Sequence, residues 1–195
     1  MTVAFVLGNG ISRKNIDLTK LKPYGKIYGC NALYRDFTPD VLVATDTPIA
    51  EEIQYNNYAL TNRFHTRKPI LNLGAQPLVE KYYGYSSGPN AVGMACNDGC
   101  TEIYLVGFDM APDENQQFNN IYADTLHYKT SGSLPTFSGN WVRQLCAIIK
   151  DYPTTNFYRI TGSTTGDIAE LNVLKNLQHQ SLDSFINRIN NQKDL

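Results

Sequence analysis

The feature that most constrains the fold of this chain is a series of short apolar runs separated by polar, helix-like stretches. Several of these runs are apolar throughout, which is typical of strands that are covered on both faces. The runs that predict strands cover residues Val3–Leu7, Lys26–Cys30, 41–45, 70–73, 103–106 and 157–160. Strands that alternate with helices indicate an α/β fold of the Rossmann-like, three-layer type, in which a mostly parallel sheet is flanked by helices.

The stretches between the later runs carry apolar residues at helical spacing. Helices are predicted at residues 87–99, 138–152, 166–177 and 181–189. Ser138 and Ser181 are the predicted N-caps of the second and the last of these helices, because a serine hydroxyl can accept a backbone N–H of the first turn.

Length and composition limit the classes of protein to consider. At 195 residues the chain fits a single domain, residues 1–195. The formal net charge of −1 gives no overall basic field, so no nucleic-acid partner is expected. No apolar run is long enough to predict a membrane span. The sequence leaves the oligomeric state open.

The cysteines have no partners at metal-ligand spacing, so no metal site is predicted from them. They are Cys30, Cys96, Cys100 and Cys146. We expect all of them to be reduced and packed, which predicts a cytoplasmic protein.

Glycine and polar residues follow several of the predicted strands. In a parallel sheet the strand ends meet at one edge, where ligands bind. The segment GNGIS, with Gly8, Asn9, Gly10 and Ser12, can offer backbone N–H groups to an anion. The alternative is a tight turn that binds nothing.

Three further strand ends carry candidate residues. Asn31 either reads a sugar or a base or only closes a turn. Asp46 either caps a helix that begins near Pro48, or contacts a ribose hydroxyl or a cation, or accepts a proton. Asp109 follows the run EIYLVGFD, where a carboxylate can bind backbone amides and brace the next loop.

Residues 110–137 show no periodicity, and an aperiodic stretch of this length is usually functional or disordered. Because the stretch follows a strand end, we predict a lid over the same edge of the sheet; a surface excursion without a role is the alternative. His127 is the best-placed general acid or base in it. Tyr122 and Tyr128 flank His127 and can donate hydrogen bonds to a leaving phosphate.

The other two histidines are interpreted differently. His65 lies in the basic segment NRFHTRKP, which predicts an exposed loop or, alternatively, a contact to a phosphate. His179 lies in a polar stretch and is expected to be solvated.

Two blocks of the chain resemble a known family. The opening VLGNGISRKNIDLTKLKPYGKIYGCNALY is similar to that of bacterial sialyltransferases of the Campylobacter type and of a related group of domains of unknown function with pterin pyrophosphokinase-like members. The block YSSGPNAVGMACNDGCTEIYLVGFDM is similar to the S-G stretch, small-residue helix and next strand of that family. The resemblance implies a Rossmann-like glycosyltransferase variant that binds CMP-sugars without a D-x-D metal clamp.

The resemblance implies nucleotide-sugar contacts at Gly8, Asn9, Gly10, Asn31, Asp46, Ser87, Gly88 and Gly107. Ser12 and Asp109 complete the set of candidate nucleotide-binding residues. The family's catalytic residues are not retained: Ala111 and a position near Phe118 stand where it has tyrosines, and Phe137 stands where it has a histidine. His127 would then act as the base, with Tyr122 or Tyr128 assisting the departing phosphate.

Three functions follow from these observations. The first is a glycosyltransferase-like enzyme that transfers a sugar from a nucleotide sugar, of which the CMP-linked type is favoured. The second is a viral or regulatory module that binds a nucleotide without transfer. The third is a pyrophosphokinase-like enzyme, which would need Mg²⁺ held by carboxylates such as Asp46 and Asp109. The first two require no cofactor.

Overall fold

The computed structural model describes residues 2–191. Eight strands form one sheet in the order β5-β4-β3-β2-β1-β6-β7-β8, and all neighbouring strands are parallel. The strands are β1 (Val3–Leu7), β2 (Lys26–Cys30), β3 (Val41–Ala44), β4 (Phe64–Thr66), β5 (Gln76–Pro77), β6 (Glu102–Val106), β7 (Asn156–Thr161) and β8 (Leu177–Ser181). The predicted α/β fold, with a parallel sheet flanked by helices, is therefore confirmed.

Five α-helices cover the two faces of the sheet. They are α1 (Thr47–Tyr55), α2 (Ser87–Asn97), α3 (Gly139–Asp151), α4 (Ala169–Asn172) and α5 (Leu182–Asn190). Helices α2, α3 and α4 share one hydrophobic core with one face of the sheet, whereas α1 and α5 share a second core with the opposite face. Single-turn 3-10 helices lie at Ile11–Arg13, Leu18–Leu21, Asn31–Arg35, Tyr58–Leu60 and Glu80–Tyr82. No described helix combines the length and apolar character needed to cross a membrane.

The central strands are fully covered, as their uninterrupted apolar sequences predict. Successive side chains of β1 enter opposite cores: Ala4 and Val6 pack towards α2, while Phe5 and Leu7 pack towards α5. All four are fully buried. This two-sided burial is why these strands lack the alternation of an exposed sheet.

One predicted strand is wrong and three strands were not predicted. Residues 70–73 form a turn, in which Leu71 is 85% exposed and Asn72 has a positive φ of 66°. The strands that were not predicted are the short strands β4 and β5 and the polar edge strand β8, whose sequences contain no long apolar run.

The helix predictions are largely confirmed. The N-cap role of Ser181 is confirmed, since its hydroxyl accepts the backbone N–H of Ser184 at 3.3 Å. Ser138 precedes α3 but makes no side-chain capping hydrogen bond. The helix predicted at 166–177 is wrong except for one turn, because only Ala169–Asn172 is helical and Leu177 begins β8.

The order of the strands places a crevice at the middle of the sheet. From β1 the chain builds outwards in one direction as far as β5, and then returns to add β6 on the other side of β1. At such a point, where the strand order changes direction, the loops that follow the two neighbouring strands run apart. A crevice therefore forms between these loops at the carboxyl ends of the strands. Leu7 pairs with both Gly29 and Val106, so the ends of β1, β2 and β6 are level at this edge.

Candidate functional site

A cleft with a volume of ≈ 370 Å³ opens at the carboxyl ends of β1, β2, β3 and β6. Most of the candidate nucleotide-binding residues line it: Gly8, Asn9, Gly10, Asn31, Asp46, Ser87, Gly88, Gly107 and Asp109. The structure thus brings together residues from five separate segments of the sequence. Ser12 is absent from the lining, and its side chain faces Asp109.

The floor of the cleft is made by the turns that follow β1 and β6. Gly8 N donates to the carbonyl of Val106 at 2.8 Å, and Gly10 N donates to that of Gly107 at 2.9 Å. Gly107 has a φ of 75°, which disfavours a side chain. A Cβ at Gly10 would overlap the carboxyl group of Asp109. The two turns therefore need glycine in order to approach each other, whether or not a ligand binds.

Asp109 braces the loops below the cleft, as one of the interpretations of the sequence predicted. It is 3% exposed, and its carboxylate accepts Ser12 N at 3.0 Å, Asn119 Nδ2 at 3.1 Å and Thr164 Oγ1 at 2.8 Å. The Ser12 hydroxyl makes a further hydrogen bond to it. These donors occupy most of the acceptor positions of the carboxylate, so Asp109 is poorly suited to binding a ligand or a cation.

Two buried arginines lie behind the turns, and the sequence analysis identified neither. Arg13 is 4% exposed and donates to the carbonyl of Gly8 and, at 3.2 Å, to Asn9 Oδ1. Arg159 is 1% exposed and donates to the carbonyls of Phe108 and Asp109 at 2.9 and 3.0 Å. Burial lowers the pKa of Arg159. No carboxylate of the described residues forms an ion pair with either guanidinium.

One wall of the cleft is the N-terminus of α2, where Ser86, Ser87, Gly88 and Pro89 line the space. The side chain of the N-cap residue, Ser86, makes no hydrogen bond to the first turn. The hydroxyl of Ser87 is used elsewhere, in hydrogen bonds of 2.9 Å with the backbone N–H and the hydroxyl of Thr45. A helix N-terminus without a side-chain cap favours an anion through its free N–H groups and its dipole.

Asn31 contributes a polar atom that has no partner. The residue has a φ of 53°, and its amide oxygen, Oδ1, is buried without a hydrogen-bond partner in the described part of the chain. Asp46 also lines the cleft, is exposed, and occupies the predicted N-cap position of α1, but its side chain makes no capping hydrogen bond. The Asp46 side chain is therefore free to contact a ligand, and Asn31 Oδ1 can do so once its side chain turns that oxygen towards the cleft.

The remaining walls combine apolar and amide side chains. Phe108, Met110, Phe118 and Trp141 supply apolar surface. The segment 110–137 contributes six residues to the lining, namely Met110, Ala111, Phe118, Asn119, Asn120 and Thr136. Hydrogen bonds tie this segment to the floor, from Ile11 N to Asn119 Oδ1 at 2.8 Å and from Ile121 N to the carbonyl of Asn9 at 2.9 Å.

The candidate catalytic residues lie outside the cleft lining. His127 Nε2 lies 3.0 Å from Glu52 Oε2 on α1, and the structure does not bring it together with the cleft residues. The hydroxyl of Tyr128 accepts Asn9 Nδ2 at 3.5 Å, and that of Tyr122 accepts Arg13 Nη2 at 3.4 Å. Burial raises the pKa of Tyr122 to about 12. The two tyrosines support the floor of the cleft from behind.

The interpretation of His65 as part of an exposed loop is wrong. His65 lies in β4, is 6% exposed, and has its Nδ1 2.8 Å from the carbonyl of Pro77. Its Nε2 accepts Arg63 Nε at 3.0 Å, so the ring is neutral in this arrangement. Burial, followed by the nearby Arg63 charge, lowers the pKa of His65, although the Pro77 hydrogen bond acts in the opposite direction. His179 is exposed on β8, as expected.

Neither the cysteines nor the carboxylates of the described residues gather into a metal-binding group of three. The four cysteines are unpaired, as predicted. Burial raises the pKa of the Cys30 thiol, which lines the cleft, to about 12, so it remains protonated near neutral pH.

Comparisons of the chain with protein-family models, with curated proteins and with solved structures gave no match. The chemistry of the cleft therefore has to be argued from its own residues.

Proposed function

We propose that this protein binds a nucleotide or nucleotide sugar in the cleft, with a CMP-type ligand favoured. The observation that carries the proposal is the buried, unpartnered Oδ1 of Asn31 on the wall of the cleft. An isolated buried acceptor costs about 1–3 kcal/mol, which a donor from a ligand would recover once the Asn31 side chain turns that oxygen towards the cleft. The exocyclic amino group of cytosine and the hydroxyl groups of ribose are donors of this kind.

The charge arrangement around the cleft supports a phosphate-bearing ligand. The N-terminus of α2 favours an anion, and the buried guanidinium groups of Arg13 and Arg159 add positive charge behind the floor. The exposed carboxylate of Asp46, which follows Thr45 beside the N-terminus of α2, suits the two hydroxyl groups of a ribose. The aromatic rings of Phe108 and Trp141 provide apolar surface for a base.

Binding without transfer is the form of the proposal that the geometry favours. Direct displacement at a sugar needs a proton acceptor beside the acceptor hydroxyl. Among the described residues that line the cleft there is no histidine, lysine or arginine. His127 is paired with Glu52, away from that lining.

A second candidate function is transfer with Asp46 as the base. The specific observation is that the Asp46 side chain is exposed at the cleft and makes no capping bond to α1. In that case a sugar acceptor would give its proton to Asp46, and the nucleotide phosphate would leave towards α2. A pyrophosphokinase activity is less compatible with the site, because the Asp109 carboxylate already accepts several donors.

Calorimetric titration with CMP, UMP, AMP, GMP and cytidine tests the proposal. We expect CMP to bind, and cytidine to bind more weakly because it lacks the phosphate. At a ligand concentration of about 100 times Kd, bound ligand would stabilise the fold by about 2.7 kcal/mol. In a chain of this size that corresponds to a rise in Tm of about 5–10 °C.

Gly88 offers a variant that blocks the anion position without disturbing the fold. A Cβ there meets only the ring of Phe108, at an ordinary contact distance of 3.5 Å, and an acidic residue in a first helical turn is favourable. Gly88→Glu should therefore fold and lose CMP binding. Gly84→Glu is the matched control, because a Cβ at Gly84 has no atom within 4 Å and the residue does not line the cleft. Equal CMP affinity in the two variants would contradict the proposed site.

A further inference from the structure

A second cavity, here called the α1 groove, lies between α1 and the loop that follows β4. Its volume is ≈ 420 Å³. The lining residues come from the carboxyl ends of β3 and β4, one side of α1 and the following loop: Thr45, Thr47, Ala50, Glu51, Gln54, Tyr55, Thr66, Arg67, Lys68, Pro69 and Ile70. Thr45 and Thr47 line this groove, whereas Asp46 between them lines the cleft, so a single turn separates the two cavities.

The groove is held open by a buried glutamine. Gln54 is 1% exposed, and its Nε2 donates to the carbonyls of Ala50 at 3.1 Å and Lys68 at 3.4 Å. Its Oε1 accepts the backbone N–H of Ile70 at 2.7 Å. These bonds attach the loop after β4 to α1, so both walls of the groove are fixed relative to each other before any ligand binds.

Two cationic side chains, Arg67 and Lys68, lie on the wall of the α1 groove that the loop after β4 forms. Arg67 is oriented by its own hydrogen bonds, from Nε to the carbonyl of Tyr83 at 3.0 Å and from Nη2 to that of Tyr85 at 2.9 Å. Neither Arg67 Nη1 nor Lys68 Nζ has a partner in the part of the chain that the structure describes. Glu51 is the carboxylate in the lining, so cations outnumber anions there.

We propose that the α1 groove is a second ligand site, which binds a small molecule through a carboxylate or a phosphate group. Arg67 supplies an oriented guanidinium, whose Nη1 can donate to the oxygen atoms of either group, and Lys68 supplies a mobile point charge. The exposed hydroxyl of Thr47 is available along the polar wall for the body of such a ligand. The proposal stands independently of what the cleft binds.

Titration of the isotope-labelled protein with inorganic phosphate and, separately, with succinate tests this site by NMR. For at least one of the two anions we expect saturable shifts in the backbone amides of Thr45, Thr47 and residues 66–70. The anion that saturates at the lower concentration identifies the preferred group. The full chain is used, so binding at the cleft is seen separately through the amides of Gly8, Gly10 and Gly88.

Lys68→Met keeps the length of the side chain and removes its charge. Because a hydrogen bond to a charged group is strong, we expect the variant to weaken anion binding at the groove by about tenfold or more. Lys175→Met is the matched control, since Lys175 is exposed on the segment between α4 and β8, at the other side of the sheet. Shifts that are confined to the cleft amides, no shifts up to about 50 mM of either anion, or equal affinity in both variants would each overturn the proposal.

Discussion

Asn31→Gly is expected to stabilise the free protein and to weaken nucleotide binding. Two backbone effects of the substitution nearly cancel. Glycine adopts the observed φ of 53° without the strain of a side chain, but it loses more conformational entropy on folding, and each effect amounts to about 1 kcal/mol. The difference in stability therefore comes from the side chain.

The side-chain contribution follows from the unpartnered oxygen. Removing a buried acceptor that lacks a hydrogen bond should recover about 1–3 kcal/mol. The loss of the apolar contacts of Cβ offsets about 0.8 kcal/mol of this gain. We expect Asn31→Gly to raise the free energy of unfolding by about 1 kcal/mol, which corresponds to about 2–4 °C in Tm. If Asn31 Oδ1 accepts a donor from CMP, the same variant should bind CMP about tenfold more weakly.

Asn57→Gly is the matched control for the backbone effects. Asn57 has a similar φ of 57° but is exposed and lies outside the cleft. Urea unfolding should give a change within about 0.5 kcal/mol for this variant, and calorimetry should give an unchanged affinity for CMP. If Asn31→Gly is destabilised and binds CMP as tightly as the wild type, the argument from the unpartnered oxygen is wrong.

Three further substitutions test the framework of the site. Gly10→Ala should lower the free energy of unfolding by about 2 kcal/mol, since its Cβ would displace the buried carboxyl of Asp109; equal Tm values for variant and wild type would contradict this. Arg159→Met should cost about 3 kcal/mol or more in urea unfolding, because it leaves the carbonyls of Phe108 and Gly166 below the cleft without donors, and a loss under 1 kcal/mol would refute that role. The pKa of His65 in the folded protein is lowered by burial and by Arg63, so as the pH falls the unfolded chain binds this proton before the folded protein does. The contribution of His65 to the free energy of unfolding is therefore fully present above the unfolded pKa of about 6.5. It is lost at lower pH, by at most about 1.4 kcal/mol per pH unit, until the folded pKa is reached. His65→Gln should flatten this part of the stability profile, and an unchanged slope would show that other groups cause it.

The sequence predicted the middle of the sheet better than its edges. Strands β1, β2 and β6 are buried on both sides, and such strands have continuous apolar sequences that are easily recognised. The edge strand β8, with the sequence LQHQS, is polar because much of it faces solvent. Residues 70–73 are apolar enough to suggest a strand, but Leu71 is exposed in a turn, which a local pattern does not reveal.

The candidate site was predictable to the extent that it depends on strand ends. Gly8, Asn31 and Gly107 follow parallel strands, and topology alone brings such positions together. Contacts between distant segments could not be predicted in this way. The neighbours of His127 in sequence suggest a catalytic role, but its Nε2 lies 3.0 Å from Glu52 Oε2, which is distant along the chain. The burial of Arg159 likewise depends on two loops, those after β6 and β7, that the sequence does not order relative to each other.

The most direct test of nucleotide binding in the cleft is an NMR titration of the labelled protein with CMP. The account predicts saturable shifts at the amides of Gly8, Asn31, Ser87 and Gly88 and in the side-chain amide signal of Asn31, with the amides of β8 unaffected. Gly88→Glu should abolish these shifts while Gly84→Glu retains them. An absence of saturable shifts at millimolar CMP, or shifts that cluster away from the carboxyl ends of β1, β2 and β6, would contradict the account.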